Sequence, residues 1–162
     1  MIANITTGKS AYGILNYNQL KVNKGKASVL STRLIFEDPD GKYNVSKMAE
    51  EFHNSMPECI RTEKPIVHIS LNPDPKDEID DELLITMAEE YLDGMGWGNQ
   101  PHIIYKHTDI ERVHIHIVTT QVDITGRKIN DSHRNRRSVA VTEELEKKYH
   151  LHPAKKQKQV TL

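Results

Sequence analysis

His107-Thr108-Asp109-Ile110-Glu111-Arg112-Val113-His114-Ile115-His116 holds three histidines and an aspartate in ten residues. If Val113 to Val122 is a strand, as its apolar alternation predicts, His114 and His116 share one face and Ile115 turns to the other, because side chains alternate with period two. The preceding run His102 to Tyr105 reads as a second strand, and the polar segment between them as a hairpin loop. Pairing the two brings His107, at the end of the first strand, beside the His114/His116 pair. The result is a facial set of three imidazole nitrogens with open positions for water or other oxygen ligands. Asp109 stands where it can accept the free N–H of one ligand and fix that ring's tautomer. A lone His-x-His would equally suit a polar sheet face, but a His-x-Asp seven residues upstream in the same hairpin favours a metal. A two-histidine, one-carboxylate iron site is the lesser alternative, since there the second histidine usually lies tens of residues away.

Outward from the hairpin, elements follow in regular order. Residues 1–5 form a first strand, and Ser10 is an N-cap for a helix to about Leu20. Ala27 to Leu30 is a short strand, and Asp38-Pro39-Asp40-Gly41 a turn. Asn44 or Ser46 caps a helix that runs through Phe52 to Met56, ahead of Pro57. Ile66 to Leu71 alternates as a strand, and Asn72-Pro73-Asp74-Pro75 ends it. Residues 80–95 carry Leu83, Leu84, Met87, Ala88, Tyr91, Leu92 and Met95 at helical spacing, closed by Gly94 and Gly96. After the hairpin come a turn at Ile124 to Arg127, a short edge at Lys128-Ile129 and a helix over Val139 to Tyr149. This β-α-β-α-β-α-β-β-α order predicts an α/β (α+β) sandwich: a central, mostly antiparallel sheet with helices on its faces. Residues 1–152 form one domain, and the Lys- and Gln-rich residues 153–162 read as a flexible tail or the start of a truncated C-terminal region.

At 162 residues the chain buries roughly two-thirds of its unfolded surface as one core, so no metal is needed for folding alone. No apolar run spans a bilayer, which argues against membrane insertion. The N-terminus lacks the features of a secretory signal, and the single Cys59 excludes an internal disulfide, so a reducing, cytoplasmic setting is expected. The net charge of −1 conceals a strong asymmetry. Residues 1–33 carry Lys9, Lys21, Lys24, Lys26 and Arg33 with no acid, and 37–93 hold sixteen acids against five bases. Residues 127–158 then return ten bases to four acids, with Arg134, Arg136 and Arg137 nearly consecutive. A basic surface built from both chain ends would suit phosphate, provided those ends converge. His53, His102, His133, His150 and His152 read as surface or packing residues. His68, on a predicted strand, could approach the metal-bearing face.

The His-x-Asp-x4-His-x-His run resembles the relaxase/mobilization nuclease family, within the His-hydrophobe-His endonucleases. Two further segments are similar to that family. Ser10-Ala11-Tyr12-Gly13-Ile14-Leu15-Asn16-Tyr17-Asn18-Gln19 matches its tyrosine motif, and His68-Ile69-Ser70-Leu71-Asn72-Pro73, before an acidic amphipathic helix, its second motif. The resemblance extends through the Gly turn, basic run and Leu-Glu-x-x-Tyr helix of 123–151. It implies that His107, His114 and His116 hold Mg²⁺ or Mn²⁺, and that Tyr17 attacks a DNA phosphate to leave a 5′-phosphotyrosine and a free 3′-hydroxyl. The ion's identity stays open, since three imidazoles by softness alone suit zinc or manganese better than magnesium. A phenol of pKa about 10 needs help to ionise, and Asp109, directly or through a histidine, is the candidate. Tyr12 competes with Tyr17 as nucleophile, but five positions apart on a helix the two point in different directions, and Tyr17 holds the family position.

The same resemblance makes Ser70, Lys128, Arg134, Arg136 and Arg137 candidates for DNA contact. It implies single-stranded DNA at an origin of transfer as substrate, with accessory mobilization proteins and a coupling protein as partners. The pattern departs at Arg112-Val113, where many relatives carry His-Pro. Such proteins also generally continue beyond this region with a helicase, primase or helical segment. Two rivals stand beside this reading. A rolling-circle initiator or transposase shares the metal chemistry but often has its histidine pair before the tyrosine. A non-catalytic single-strand-binding module would show aromatic stacking platforms, and the nine aromatic residues form no stripe.

Overall fold

A computed structural model describes residues 1–154; the expected tail lies, from residue 155 onward, outside the described residues. Nine elements occur in the order β1 (Ile2–Gly8), α1 (Ala11–Asn23), β2 (Ala27–Arg33), α2 (Val45–Asn54), β3 (Ile66–Asn72), α3 (Asp81–Met95), β4 (His102–His107), β5 (His114–Thr120) and α4 (Arg134–Lys148). The five strands form one open sheet ordered β1-β3-β5-β4-β2, and each neighbouring pair is antiparallel. This is the expected α+β sandwich. No helix among the described residues is long and apolar enough to cross a membrane.

Period two sorts the sheet's side chains between two cores. Val67, Ile69, Leu71, Ile104, Ile115 and Ile117 pack beneath α3 and α4, around Leu84, Met87, Tyr91, Leu92, Trp97 and Leu145. Ile66, Ile103, Tyr105 and Val118 pack beneath α1 and α2, around Ala11, Leu15, Met48 and Phe52. The central strands are buried from both sides, and their alternating sequence therefore shows only weakly polar faces. On the α1 side the polar positions fall in register, Asn4 opposite Ser70, Ser70 opposite His116, and His107 opposite His114. A band of polar side chains thus crosses β1, β3, β5 and β4 on the α1 side of the sheet.

The caps follow local chemistry. Ser10 accepts from Tyr12 N at 3.3 Å, Asn44 from Lys47 N at 3.0 Å and Asp80 from Leu83 N at 2.8 Å, each satisfying a backbone donor that the first turn leaves free. Gly96 ends α3 at φ +88, a left-handed position where a side chain would be strained. Several boundaries differ from the sequence reading, β1 for one running on to Gly8. Helix α1 runs on to Asn23, and β2 continues to Arg33 through an irregularity between Val29 and Ser31. Helix α4 begins at Arg134 rather than Val139. Its first turn, Arg134-Asn135-Arg136-Arg137, has no apolar periodicity to read. Arg137 holds it in place by donating to the carbonyls of Asn130 and Met95 at 2.8 and 3.3 Å. The expected edge at Lys128 reduces to a single bridge with Val122.

Candidate active site

The hairpin brings the three histidines together as its sequence requires. His107 ends β4, His114 and His116 stand on one face of β5, and each offers a ring nitrogen within 4.8 Å of the others. His107 is buried and the other two are partly exposed. Hydrogen bonds identify the nitrogens left for a ligand. His107 Nε2 lies 2.7 Å from Asn18 Oδ1, His114 Nε2 3.4 Å from Asp109 Oδ1, and His116 Nδ1 2.8 Å from His68 Nε2. Each ring is thus held through one nitrogen, leaving His107 Nδ1, His114 Nδ1 and His116 Nε2 as the ligating set. The last two are 3.0 Å apart, close to the about 3 Å edge between neighbouring nitrogens each about 2.1 Å from one ion. Three nitrogens on one side, with every second nitrogen engaged, suit a divalent cation that keeps open positions once the wider pairs, up to 4.8 Å apart, draw in around it.

Electrostatics favour the same state. Burial, reinforced by the neighbouring rings, lowers His107 to about 4 and His116 to about 3, and burial also lowers His68. Neutral imidazole is the form that ligates, so His107 and His116 are ready at neutral pH. Asp109 is held down to about 2, first by its hydrogen bond to Lys21 and then by that to His114. Lys21 is raised in turn by Asp109. The Lys21–Asp109 ion pair therefore lies directly behind His114.

Tyr17 and Tyr12 are equally exposed, at 48% each, so accessibility does not separate them. Position does. The Tyr17 ring centroid is 6.5 Å from that of His107, and Lys21 Nζ is 5.7 Å from the Tyr17 ring. Tyr17 also lines a cleft of about 540 Å³ with Asn4, Ser70, Asn72, His114 and His116, whereas Tyr12 does not. Ser70 sits on the cleft floor, its Oγ accepting from Asn4 Nδ2 and Asn72 Nδ2 at 3.4 and 3.3 Å. Lys76 and Arg112 stand at the rim with exposed side chains, and His152, paired with Asp77, closes one end.

The other basic residues singled out in the sequence lie elsewhere. Lys128, Arg134, Arg136 and Arg137 are absent from the cleft lining. Lys128 pairs with Asp131, and Arg137 is occupied by backbone carbonyls. Besides Lys76 and Arg112, two contributors beside the histidines escaped the sequence reading. Asn18 is fully buried, and the signal for it is a polar residue on the buried stripe Ala11, Leu15, Asn18 of α1. Lys21 meets Asp109 only through a contact 88 residues distant in sequence; no local pattern announces it.

Residues 17–151 match the family model described as Relaxase: MobA/VirD2-like, nuclease domain. No curated protein matches the chain.

Proposed function

From the premise that the chain belongs to this family of relaxase nuclease domains, we propose that it nicks and rejoins one DNA strand at an origin of transfer, with Tyr17 as nucleophile. The observation that carries the reading is the position of Tyr17, on α1, which lines one open cleft with His114 and His116 and has its ring 6.5 Å from that of the buried His107. A divalent ion held by the three histidines, Mg²⁺ or Mn²⁺, would polarise the scissile phosphate and offset the charge of the transition state. The remaining work falls to the chain. Tyr17 gives its proton to solvent as Oη attacks phosphorus, the bond to the 3′-oxygen breaks, and that oxygen leaves as a hydroxyl after taking a proton from solvent. The product is a 5′-phosphotyrosine, so the phosphoester energy is retained for rejoining.

Lys21, whose ammonium lies 5.7 Å from the Tyr17 ring, is placed to offset negative charge that develops as Tyr17 attacks. Asp109 holds Lys21 and the Nε2–H of His114. With its proton affinity this low, it suits orienting those cations and donors better than carrying the phenol's proton away. Ser70, Lys76 and Arg112 are positioned to meet the strand in the cleft. Lys128, Arg134, Arg136 and Arg137 meet it only where it continues beyond the cleft. Accessory mobilization and coupling proteins would act in the cytoplasm on the resulting complex.

The test is incubation with single-stranded oligonucleotides from the element's own transfer origin and Mn²⁺. A covalent adduct is expected that disappears in Tyr17→Phe and in His114→Ala but persists in Tyr12→Phe. Loss in Tyr12→Phe with retention in Tyr17→Phe would overturn the nucleophile. Binding without any adduct would point to a single-strand-binding module.

A further inference from the structure

The side chains that hold the histidines are unevenly distributed. His68 belongs to the sheet, but the other two supports lead to the helix that bears the tyrosine. Asn18, the residue after Tyr17, bonds His107 directly, and Lys21, one turn further, bonds Asp109, which bonds His114. The geometry at Asn18 leaves little freedom. Its Nδ2 donates to Ile14 O at 2.9 Å, so its Oδ1 is the atom facing His107 and must accept from Nε2–H. That choice leaves the lone pair of His107 on Nδ1. The rest of the helix is anchored by Ala11 and Leu15, buried in its first half, and by the partly buried Val22 near its end, while Leu20 is exposed.

We propose that Asn18 is a positioning residue that couples metal occupancy to the docking of α1, so that a bound cation sets Tyr17 in register with the cleft. The inference rests on the metal-site reading above. Ligation through His107 Nδ1 requires the tautomer that Asn18 selects, and that tautomer in turn strengthens the Asn18 bond, because metal withdraws charge from the ring and makes Nε2–H a better donor. Coupling of this kind is reciprocal: whatever α1 docking adds to metal affinity, metal adds to α1 docking. Without cation the second half of α1 opens more often, and the tyrosine is less well placed. The device would restrain the nucleophile until the ion is present.

Hydrogen exchange of the whole protein, with and without Mn²⁺, reads the coupling without reference to nicking. In the wild-type chain, Mn²⁺ should slow exchange at the α1 amides 18–23 by about tenfold. In Asn18→Leu, similar in size but without an acceptor, Mn²⁺ affinity should fall by about 10–100-fold, and saturating Mn²⁺ should no longer protect α1. Asn18→Asp keeps the acceptor and should retain both properties within about threefold. Asn18→Ala repeats the measurement should the leucine variant fold poorly. Wild-type α1 exchange indifferent to Mn²⁺, or Asn18→Leu and Asn18→Ala binding Mn²⁺ as tightly as wild type, would overturn the coupling and leave the metal site standing. Absence of Mn²⁺ binding by the wild-type protein would overturn both.

Discussion

Replacing His68 by Leu removes the acceptor facing His116 Nδ1, 2.8 Å away, and leaves that donor half-buried with nothing to bond. The two rings are stacked at 5.0 Å between centroids, so leucine refills most of the space and the loss is chiefly polar. An orphaned donor of this sort costs about 1–3 kcal/mol, and each 1.4 kcal/mol is about tenfold in binding. The same change frees His116 to rotate or to change tautomer, either of which withdraws Nε2 from the ligand set. Mn²⁺ affinity should therefore fall by about 10–100-fold, the usual weight of an outer-sphere partner. Titration of the protein with Mn²⁺, followed by the electron paramagnetic resonance of the free ion, measures this directly. Nicking should return to within about threefold of wild type once Mn²⁺ is saturating. His68→Gln, which restores an acceptor oxygen, should recover most of the affinity. Wild-type affinity in His68→Leu, or an equal loss in His68→Gln, would refute the hydrogen-bond account and reduce His68 to a packing residue.

Lys21→Met should slow formation of the covalent adduct by tenfold or more in single turnover while changing oligonucleotide affinity less than about threefold, because the cation acts on the phenolate rather than on the bound strand; an unchanged rate would remove Lys21 from the chemistry. Arg112→Ala and Lys76→Ala should each lower the salt dependence of single-strand binding by about 0.7 in log–log slope, a change Lys128→Ala should not produce, and the opposite pattern would move the DNA path to α4. His102 is only 4% exposed, and burial lowers it from 6.5 to about 4. The fold therefore favours neutral His102: its contribution is complete above about pH 6.5 and is lost as pH falls toward 4. Urea unfolding should show wild type losing about 2–3 kcal/mol more than His102→Leu between pH 7 and pH 4.5, and parallel losses would show that His102 does not set the acid limit.

The histidine hairpin was legible because everything it needs is local. Two strands joined by six residues bring His107 opposite His114, and period two then places His116 on the same face. Strong helix periodicity made α3 equally plain, and Ser10 announced α1 as its cap, as did Asn44, one of two candidates, for α2. By contrast, the first turn of α4 carries no apolar signal, and its place depends on Arg137 reaching carbonyls in other segments. The basic run can be counted along the chain, whereas the cations at the cleft, Lys76 and Arg112, are isolated in sequence and come together only at its rim.

By itself, then, the sequence determined the elements, the antiparallel hairpin and the three-histidine set, since propensity, periodicity and short loops act over a few residues. Tertiary structure decided the strand order β1-β3-β5-β4-β2 and, through it, which polar side chains share the cleft floor. It also decided between Tyr17 and Tyr12 as neighbours of the histidines, and joined α1 to the histidine cluster through Asn18 and Lys21. Those contacts span 88 and 89 residues. They form only when the core beneath α1 fixes the helix against the sheet, and no local rule of the chain encodes that placement.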